Sequence, residues 1–186
     1  MLDCVIPAAG ESQRMGRWKP ALRWSDGWVI DAVVASALAG ETRVIVVVRA
    51  EHSEVVAQRF ARLPRVSVVV NRQAQLGMFS SIQRGVREVQ SQRFYVLPAD
   101  MPLVPAAVFQ QLRNAEPCAA IRPAYHGQPG HPVLLNREVA ERVVALPPDA
   151  GMQRALCGVM MRTIDTDCYG VSADIDTPRD YRQLQP

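Results

Sequence analysis

Short apolar runs alternate with longer amphipathic stretches over the first 114 residues of the chain. The runs are rich in β-branched residues and lack polar alternation, which is typical of strands covered on both faces of a parallel sheet. We predict such strands at residues 4–8, 44–48, 66–70 and 94–97. Helices are predicted at residues 29–39, 53–62, 79–90 and 105–114. Strands and helices in this order predict βαβ units and hence an α/β fold.

The pattern changes after residue 115, where two strand-like runs flank a turn rich in Gly, His and Pro. The elements predicted here are strands at 119–124, 132–135 and 159–163, helices at 137–145 and from Pro147-Pro148-Asp149 through 156, and a terminal helix capped by Thr177 with Pro178 in its first turn. Neither a repeat nor a linker interrupts the chain. We therefore predict a single domain over residues 1–186, a Rossmann-like three-layer α/β/α sandwich around a mostly parallel sheet.

Composition narrows the classes of partner. The 186 residues are 48% hydrophobic and 21% charged, which is the ordinary globular range, and their formal net charge is +3. The basic residues are scattered rather than gathered in a stripe, so the charge favours a small anionic ligand over a nucleic acid. No apolar run approaches the ~18 residues of a membrane span, and no signal precedes the first strand. We expect a cytoplasmic protein with no membrane partner.

The cysteines form no Cys-x-x-Cys pair, and no histidine stands at zinc-ligand spacing from them. We interpret all of them as small apolar core residues of a protein in a reducing compartment. They are Cys4, Cys118, Cys157 and Cys168.

A candidate anion-binding loop follows the first predicted strand directly. It reads Ala8-Ala9-Gly10-Glu11-Ser12-Gln13-Arg14-Met15-Gly16-Arg17-Trp18-Lys19. Gly10 and Gly16 permit positive φ angles and close backbone approach, so that successive N–H groups can converge on an anion. Arg14 and Lys19 supply cations for a triphosphate, the first as a fork and the second as a point charge. A solvated basic turn is the alternative, but the position after a buried strand favours a ligand site.

Motifs in a fixed order along nearly the whole chain give the sequence a family resemblance. They are the loop just described, Asn71 with Gln75-Leu76-Gly77-Met78-Phe79-Ser80-Ser81-Ile82, Leu97-Pro98-Ala99-Asp100-Met101-Pro102, and Asp174-Ile175-Asp176-Thr177-Pro178-Arg179-Asp180-Tyr181. Together they resemble the MobA-like NTP transferases, a branch of the GT-A-like nucleotidyltransferases. The resemblance implies a nucleotide-binding half at 1–114 and an acceptor-binding half at 115–186.

The resemblance also implies the residues of the nucleotide site. Nucleotide contacts are expected at Pro7, Ala8, Ala9, Gly10, Arg14, Gly16, Lys19, Asn71, Gly77 and Ser81, with the backbone of the first three facing the base. Arg14, Lys19 and Asp100 are the expected catalytic residues. The Gly77–Ser81 stretch is a candidate helix N-terminus, where hydroxyl and free N–H groups bind ligand oxygens, and an ordinary serine cap is the alternative.

Two positions are expected to hold a divalent metal, Mg²⁺ (or Mn²⁺). Asp100 ends the fourth predicted strand, and magnesium is bound in proteins by one or two carboxylates together with substrate phosphates. Capping of the helix near Pro105 is the alternative role of Asp100. Asp174 and Asp176 are two residues apart, so that on a strand both face the same side. The resemblance favours Asp176 as the second ligand, and a plain helix start is the alternative.

The segment Gly127-Gln128-Pro129-Gly130-His131-Pro132-Val133 resembles one of the molybdenum cofactor cytidylyltransferases, which places Gly130 and His131 toward the acceptor. A turn between two strands explains the glycines and prolines without any function. It does not explain His131. A structural role for this side chain and a contact with the acceptor, as a base or to its phosphate, both stay open.

The implied reaction is attack by an acceptor phosphate or hydroxyl oxygen on the α-phosphorus of an NTP, with release of pyrophosphate. CTP and molybdopterin are the favoured substrates, and a molybdoenzyme is a further candidate partner. Two departures from the family pattern leave the substrate open, namely Phe79 and the segment Trp24-Ser25-Asp26-Gly27-Trp28. A GTP-using or sugar-phosphate nucleotidyltransferase and a non-catalytic molybdopterin-binding accessory protein are the alternatives. An oxidoreductase is disfavoured because GxGxxG is missing.

Overall fold

A computed structural model describes residues 1–12 and 15–185. The strands are β1 Leu2–Pro7, β2 Arg23–Trp24, β3 Gly27–Trp28, β4 Thr42–Val48, β5 Val66–Val70, β6 Arg93–Val96, β7 Ala120–Tyr125, β8 Gln128–Pro129, β9 Val133–Asn136 and β10 Met161–Asp165. The helices are α1 Val29–Ala39, α2 Ala50–Phe60, α3 Met78–Val86, α4 Ala106–Asn114, α5 Arg137–Ala145, α6 Met152–Ala155 and α7 Pro178–Leu184. Single 3₁₀ turns lie at Lys19–Ala21, Ala74–Leu76 and Tyr169–Ser172.

One mixed sheet runs through the described residues in the order β10-β7-β9-β6-β1-β4-β5, with β8 paired to β7. The strands from β6 to β5 are parallel to one another, and β10 is parallel to β7. Strand β9 lies antiparallel between β6 and β7. The prediction of a mostly parallel sheet is confirmed. The antiparallel insertion of β9 was not predicted, because a run of buried apolar residues indicates a strand but not its direction.

Helices cover both faces of the sheet. Cys4 and Ile6 of β1 belong to the core beneath α1, α2 and α4, whereas Val5 belongs to the core beneath α3, α5 and α6. Successive residues of a strand point to opposite faces, so the all-apolar sequence of β1 serves two cores at once. The predicted three-layer α/β/α sandwich is confirmed.

The chain changes direction across the sheet at β1. Strands β4 and β5 follow on one side of β1, and β6 pairs on its other side. Ligands of open α/β sheets bind in the crevice beyond the carboxyl ends of two such strands. Here the loop after β1 and the loop after β6 meet at that edge, and they carry two of the candidate motifs.

Helix boundaries differ from the predictions by three or more residues at three places. Helix α2 begins at Ala50 rather than at 53, and α6 spans only Met152–Ala155 rather than starting at Pro147-Pro148-Asp149. Helix α3 ends at Val86 rather than at 90. The early end of α3 has a structural cause. The Asp3 carboxylate accepts hydrogen bonds from the backbone N–H groups of Gln90 and Ser91, at 2.7 and 2.9 Å, and these groups therefore do not continue the helix.

The cysteines are not all core residues. Cys4 is buried, and burial raises the pKa of its thiol. Cys118 and Cys168 are half-buried, and Cys157 is exposed. The core interpretation is therefore right for Cys4 and wrong for Cys157, which follows the short helix α6 where the chain turns at the surface. Within the part of the chain that the structure describes, no helix is long and apolar enough to span a membrane.

Candidate active site

A cavity of about 440 Å³ opens where the loops after β1 and β6 meet. This volume is within the usual range of small-molecule sites. Its walls come from four parts of the chain: the end of β1 with its loop, the turn before α3 together with the first turn of that helix, the loop after β6 and the residue before the α7 cap. The lining residues are Pro7, Ala8, Ala9, Gly10, Glu11, Ser12, Lys19, Pro20, Ala74, Gln75, Gly77, Met78, Ser81, Pro98, Ala99, Asp100 and Asp176.

The loop after β1 is held to the cavity wall at its end. The backbone N–H of Lys19 donates to the Ser12 hydroxyl at 3.0 Å, and a 3₁₀ turn begins at Lys19. Gly16 adopts the left-handed region, with φ 64°, but does not line the cavity. Gly10 does not adopt a positive φ, and a Cβ there would meet nothing within 4 Å, so it contributes open space. Arg14, predicted to be catalytic, lies outside the described residues.

The centre of the cavity is a triad of charged groups. The Lys19 ammonium donates to Asp100 Oδ2 at 2.9 Å and to Asp176 Oδ1 at 2.8 Å. The side chain of Lys19 is only 14% exposed. Desolvation lowers the pKa of Lys19, but the hydrogen bonds and negative charges of the two carboxylates outweigh it and raise the pKa above its ordinary value. Lys19 is therefore a cation at neutral pH.

Asp100 takes its position from the loop after β6. Its backbone carbonyl accepts a hydrogen bond from Ile175 N–H at 3.0 Å, which ties the C-terminal segment to this loop. Helix α4 begins at Ala106, and its N-cap Pro105 has no side-chain cap bond. The alternative role of Asp100 as the cap of this helix is thus not what the structure shows, since its carboxylate contacts Lys19.

Asp176 stands directly before a capped helix. Thr177 and Asp180 form a capping box at the start of α7, and the Asp180 carboxylate also accepts from Asp176 N–H at 3.2 Å. The helix start is therefore carried by Thr177, as predicted, while the Asp176 side chain lines the cavity. Asp174 is exposed and does not line the cavity. Partial desolvation, together with the carboxylates of Asp176 and Asp100, raises the pKa of Asp174.

Asn71 lies behind the cavity wall rather than on it. It is buried, and its amide nitrogen donates to the hydroxyls of Ser80 and Ser81 at 2.9 and 3.0 Å. Its amide oxygen accepts from Gln73 N–H at 2.9 Å. Asn71 thus joins the turn after β5 to the first turn of α3. Of these hydroxyl-bearing residues only Ser81 lines the cavity, beside Gly77, whose φ of 97° starts the helix.

The end of β1 forms the floor on which the base was predicted to rest. Pro7, Ala8 and Ala9 all line the cavity. The backbone of Ala8 already has two partners, since its N–H donates to Val47 at 2.7 Å and its carbonyl accepts from the Trp18 indole at 2.9 Å. Trp18 also stacks on His52, with the ring centroids 4.0 Å apart. The loop that carries Lys19 is thereby fixed to β1 and α2.

Gly130 and His131 do not line the cavity, although the charge of Asp100 acts on His131. A Cβ at Gly130 would overlap the carbonyl of Val171, so close backbone approach requires glycine there. Burial lowers the pKa of His131 and outweighs the opposing effects of the Val96 backbone and the Asp100 charge. Its Nδ1 is buried without a hydrogen-bond partner among the described residues. Burial therefore favours the neutral form of the His131 imidazole.

Sequence reasoning missed several lining residues. Glu11 and Ser12 stood inside the candidate loop but were given no role, and Gln75 and Met78 stood inside the second motif. A further signal was available in the composition. The chain has 21 basic residues, and all of them except Lys19 are arginine. A count of the residue types would therefore have singled out Lys19 before its place in the cavity was known.

An α/β/α sandwich with a lysine after its first strand, facing two carboxylates at the carboxyl ends of the strands, has the groups needed to bind the phosphates of a nucleotide. Residues 4–162 match the family described as MobA-like NTP transferase domain. The chain therefore belongs to this family of nucleotidyltransferases.

The chain is similar to several known proteins over almost its whole length. It is 29% identical over 180 residues to a molybdenum cofactor cytidylyltransferase of Escherichia coli K12, covering 97% of this chain and 93% of that protein. Rv0371c of Mycobacterium tuberculosis shares the fold with a TM-score of 0.83 at 24% identity, covering 99% and 97% of the two chains. A second structure of Rv0371c is a complex with manganese, with a TM-score of 0.78 at 23% identity and coverage of 98% and 96%. A nucleotidyl transferase of Methanothermobacter gives a TM-score of 0.83 at 21% identity, covering 100% and 96%.

Proposed function

We propose that the protein transfers the cytidylyl group of CTP to the phosphate of a molybdopterin-type acceptor and releases pyrophosphate, with the aid of a divalent metal. The observation that carries this proposal is the meeting of Lys19, Asp100 and Asp176 in one cavity at the carboxyl ends of β1 and β6. The similarity to a molybdenum cofactor cytidylyltransferase supports the choice of CTP and of the acceptor.

The donor set of the cavity fits a hard divalent cation. Asp100 and Asp176 already direct one oxygen each at a single cationic nitrogen, and carboxylate oxygens are the ligands that Mg²⁺ and Mn²⁺ prefer. Within residues 1–12 and 15–185, no group of three or more His, Cys, Asp and Glu could hold a metal. Two carboxylates suffice only when the phosphates of a nucleotide and water complete the coordination. A metal there would neutralise the charge of those phosphates.

The groups of the chain itself then position the reactants. Lys19 and, by the family resemblance, Arg14 hold the phosphates, and the N-terminal turn of α3 presents Gly77 and Ser81 to ligand oxygens. An oxygen of the acceptor phosphate attacks the α-phosphorus. The bond to the bridging oxygen breaks, and that oxygen leaves as part of pyrophosphate with the electron pair. Positioning and charge neutralisation supply most of such a rate enhancement, and no side-chain nucleophile is required.

The acceptor is proposed to bind on the side of β7, β8 and β9. Gly130 lets the backbone pass close to Val171, and His131 follows it with a lowered pKa and with no hydrogen-bond partner for Nδ1 within residues 1–12 and 15–185. A neutral imidazole next to the site can accept a hydrogen bond from the acceptor or receive its proton. The division of the chain into a nucleotide-binding half and an acceptor-binding half is part of the same proposal.

The proposal is tested by incubating the protein with Mg²⁺ or Mn²⁺, molybdopterin and each of the four common NTPs in turn. We expect pyrophosphate release with CTP and molybdopterin together, far above release with either alone, and a cytidylylated product detected by mass spectrometry. Pyrophosphate release with GTP and molybdopterin but not with CTP would identify a GTP-using nucleotidyltransferase. Release only when a sugar phosphate replaces molybdopterin would identify a sugar-phosphate nucleotidyltransferase. Tight binding of molybdopterin without pyrophosphate release in any combination would contradict the proposed catalysis and identify a non-catalytic accessory protein.

A further inference from the structure

Lys19 occupies the place between Asp100 and Asp176 at which a cation is most stabilised. Its ammonium lies 2.9 and 2.8 Å from the two carboxylates, and all three side chains are partly shielded from water, with exposures of 14, 21 and 35%. Asp100 lies 81 positions and Asp176 157 positions after Lys19 in the sequence, so the fold alone brings the three side chains together. The same two carboxylates are the ones that the proposed function assigns to a metal.

An ammonium in this position opposes a free divalent ion in two ways. Its hydrogen bonds occupy Oδ2 of Asp100 and Oδ1 of Asp176, and its charge repels a second cation a few ångströms away. Like charges a few ångströms apart repel strongly where water is partly excluded, and a divalent ion experiences twice the repulsion of a monovalent one. A metal can therefore bind Asp100 and Asp176 only when another anion draws the ammonium of Lys19 away from them.

We propose that Lys19 is an intrinsic counter-ion that excludes free divalent metal from the site and couples metal binding to nucleotide binding. The triphosphate draws the ammonium from the carboxylates onto its own oxygens, and the two carboxylates become available at the moment when phosphate ligands arrive. This inference rests on the proposed function for the identity of the nucleotide. It adds an obligatory coupling between the two ligands, which is reciprocal by thermodynamic linkage.

The choice of residue suits this role. Arginine supplies every other basic side chain of the protein, and only Lys19 is lysine. A guanidinium binds carboxylates as a rigid planar fork, whereas an ammonium is a compact point charge on a flexible stem that can swing between neighbouring anions. The main chain of Lys19 is fixed by the bond from its N–H to Ser12, so that the stem alone has to move.

The test measures Mn²⁺ binding by electron paramagnetic resonance, with and without the α,β-methylene analogue of CTP, which cannot be cleaved. Without nucleotide, Lys19→Met should bind Mn²⁺ roughly tenfold or more tightly than the wild type, because the repelling charge is gone. Lys19→Arg, which keeps the charge, should bind as weakly as the wild type. Arg87→Met is the matched control, since it removes one charge from an exposed residue outside the cavity and should leave binding unchanged.

The analogue should strengthen Mn²⁺ binding in the wild type much more than in Lys19→Met, measured against the affinity of the free analogue for Mn²⁺. Equal Mn²⁺ affinity of wild type and Lys19→Met without nucleotide, in variants whose circular dichroism is native, would overturn the inference. Pyrophosphate release is not needed for this result. An enzyme inactive with CTP and molybdopterin but with tighter Mn²⁺ binding in Lys19→Met would refute the proposed function and leave the counter-ion role intact.

Discussion

The Asp3 carboxylate lies at the amino end of β1, and its side chain is 3% exposed. One oxygen accepts from Arg43 Nε at 2.6 Å, and the other accepts from the N–H groups of Gln90 and Ser91 and from the Ser91 hydroxyl. Burial raises the pKa of Asp3, but these hydrogen bonds outweigh it and leave the pKa below its ordinary value. A single carboxylate thus joins β1, β4 and the segment after α3 at the edge of the sheet away from the cavity.

Asp3→Ala should therefore lower the free energy of unfolding by about 2 to 3 kcal/mol, because it leaves a partly buried guanidinium and two backbone N–H groups without their acceptor. Urea denaturation followed by circular dichroism measures this. Asp149→Ala, at an exposed position, is the control, and its effect should stay within about 0.5 kcal/mol. Equal stability of Asp3→Ala and the wild type would show that Asp3 is not an anchor.

The stability from Asp3 also depends on pH in a defined direction. Since the pKa of Asp3 is lower in the folded than in the unfolded chain, its contribution is complete above the ordinary value of 3.8 and is lost as the pH falls through the folded-state pKa. The difference in unfolding free energy between wild type and Asp3→Asn should shrink from about pH 6 to about pH 3. A difference that grows over this range would contradict the assignment.

Asp100 is the residue whose replacement tests the proposed chemistry most directly. Asp100→Asn keeps the shape but removes the negative charge that faces Lys19 and, in the proposed function, the metal. We expect turnover, measured as pyrophosphate release, to fall about a hundredfold or more, while the thermal unfolding curve stays near that of the wild type. Asp149→Asn is the matched control. Near-normal turnover of Asp100→Asn would show that the metal site is misassigned.

Contacts between distant residues are what the sequence could not supply. The order of motifs predicted that Lys19, Asp100 and Asp176 share one site, and the cavity brings them together. It assigned Lys19 to the phosphates and the aspartates to a metal, and it did not predict that Lys19 binds both carboxylates in the free protein. Asn71 shows the same limit, because its sequence position cannot distinguish a side chain that lines the cavity from one that supports the wall.

Among the elements, α7 connects a local sequence signal with the site. The capping box of Thr177 and Asp180 starts the helix, and the Asp180 carboxylate also binds the N–H of Asp176. This short helix is therefore the support that holds the Asp176 carboxylate toward Lys19. The cap was readable from the sequence because its chemistry is local.

Thr177→Ala should lower the free energy of unfolding by about 1 kcal/mol through loss of the cap. Because Asp176 becomes less firmly held, turnover should also fall, by roughly tenfold. Thr177→Ser, which keeps the hydroxyl, should restore both quantities. Loss of stability in Thr177→Ala with unchanged turnover would show that the cap and the position of Asp176 are independent.

The strands differ in how well the sequence predicted them. Short, mostly apolar runs between turns identified β1, β4, β5 and β6, because strands of a sheet covered by helices on both faces need no polar alternation. The pattern does not show that β5, at the end of the sheet, is only half-buried. The ribbon of β2 and β3 was not predicted. Each of its strands has only two residues, and the turn between them uses a positive φ of 48° at Ser25, which composition does not reveal. Such elements are too short to show a period.

At the scale of the whole molecule, the sheet does not stop at the boundary between the two halves proposed for the chain. Strand β9 pairs with β6 on one side and β7 on the other, and the residues of each strand divide between the same two cores. Hydrogen bonds and apolar packing thus run across residue 115 without interruption. We expect the halves to unfold together.

Urea denaturation provides the test, because the tryptophans lie only at positions 18, 24 and 28 and report on the first half. Tryptophan fluorescence and far-ultraviolet circular dichroism, which reports helices throughout the chain, should give the same midpoint and the same slope. A fluorescence transition that is complete before the dichroism changes would show that the halves unfold separately.

The solitary lysine has a consequence for anyone who wishes to address this protein chemically. To a reagent that forms imines, the chain offers one side-chain amine, and that amine stands in the cavity at Lys19. The phosphate of a phosphate-bearing aldehyde would draw the Lys19 ammonium away from Asp100 and Asp176. Once the amine has lost its proton it can form the imine, and borohydride would make the adduct permanent. The mass gained by the chain, localised to the peptide that contains Lys19, would then count how many molecules have their active site occupied, without any assay of turnover.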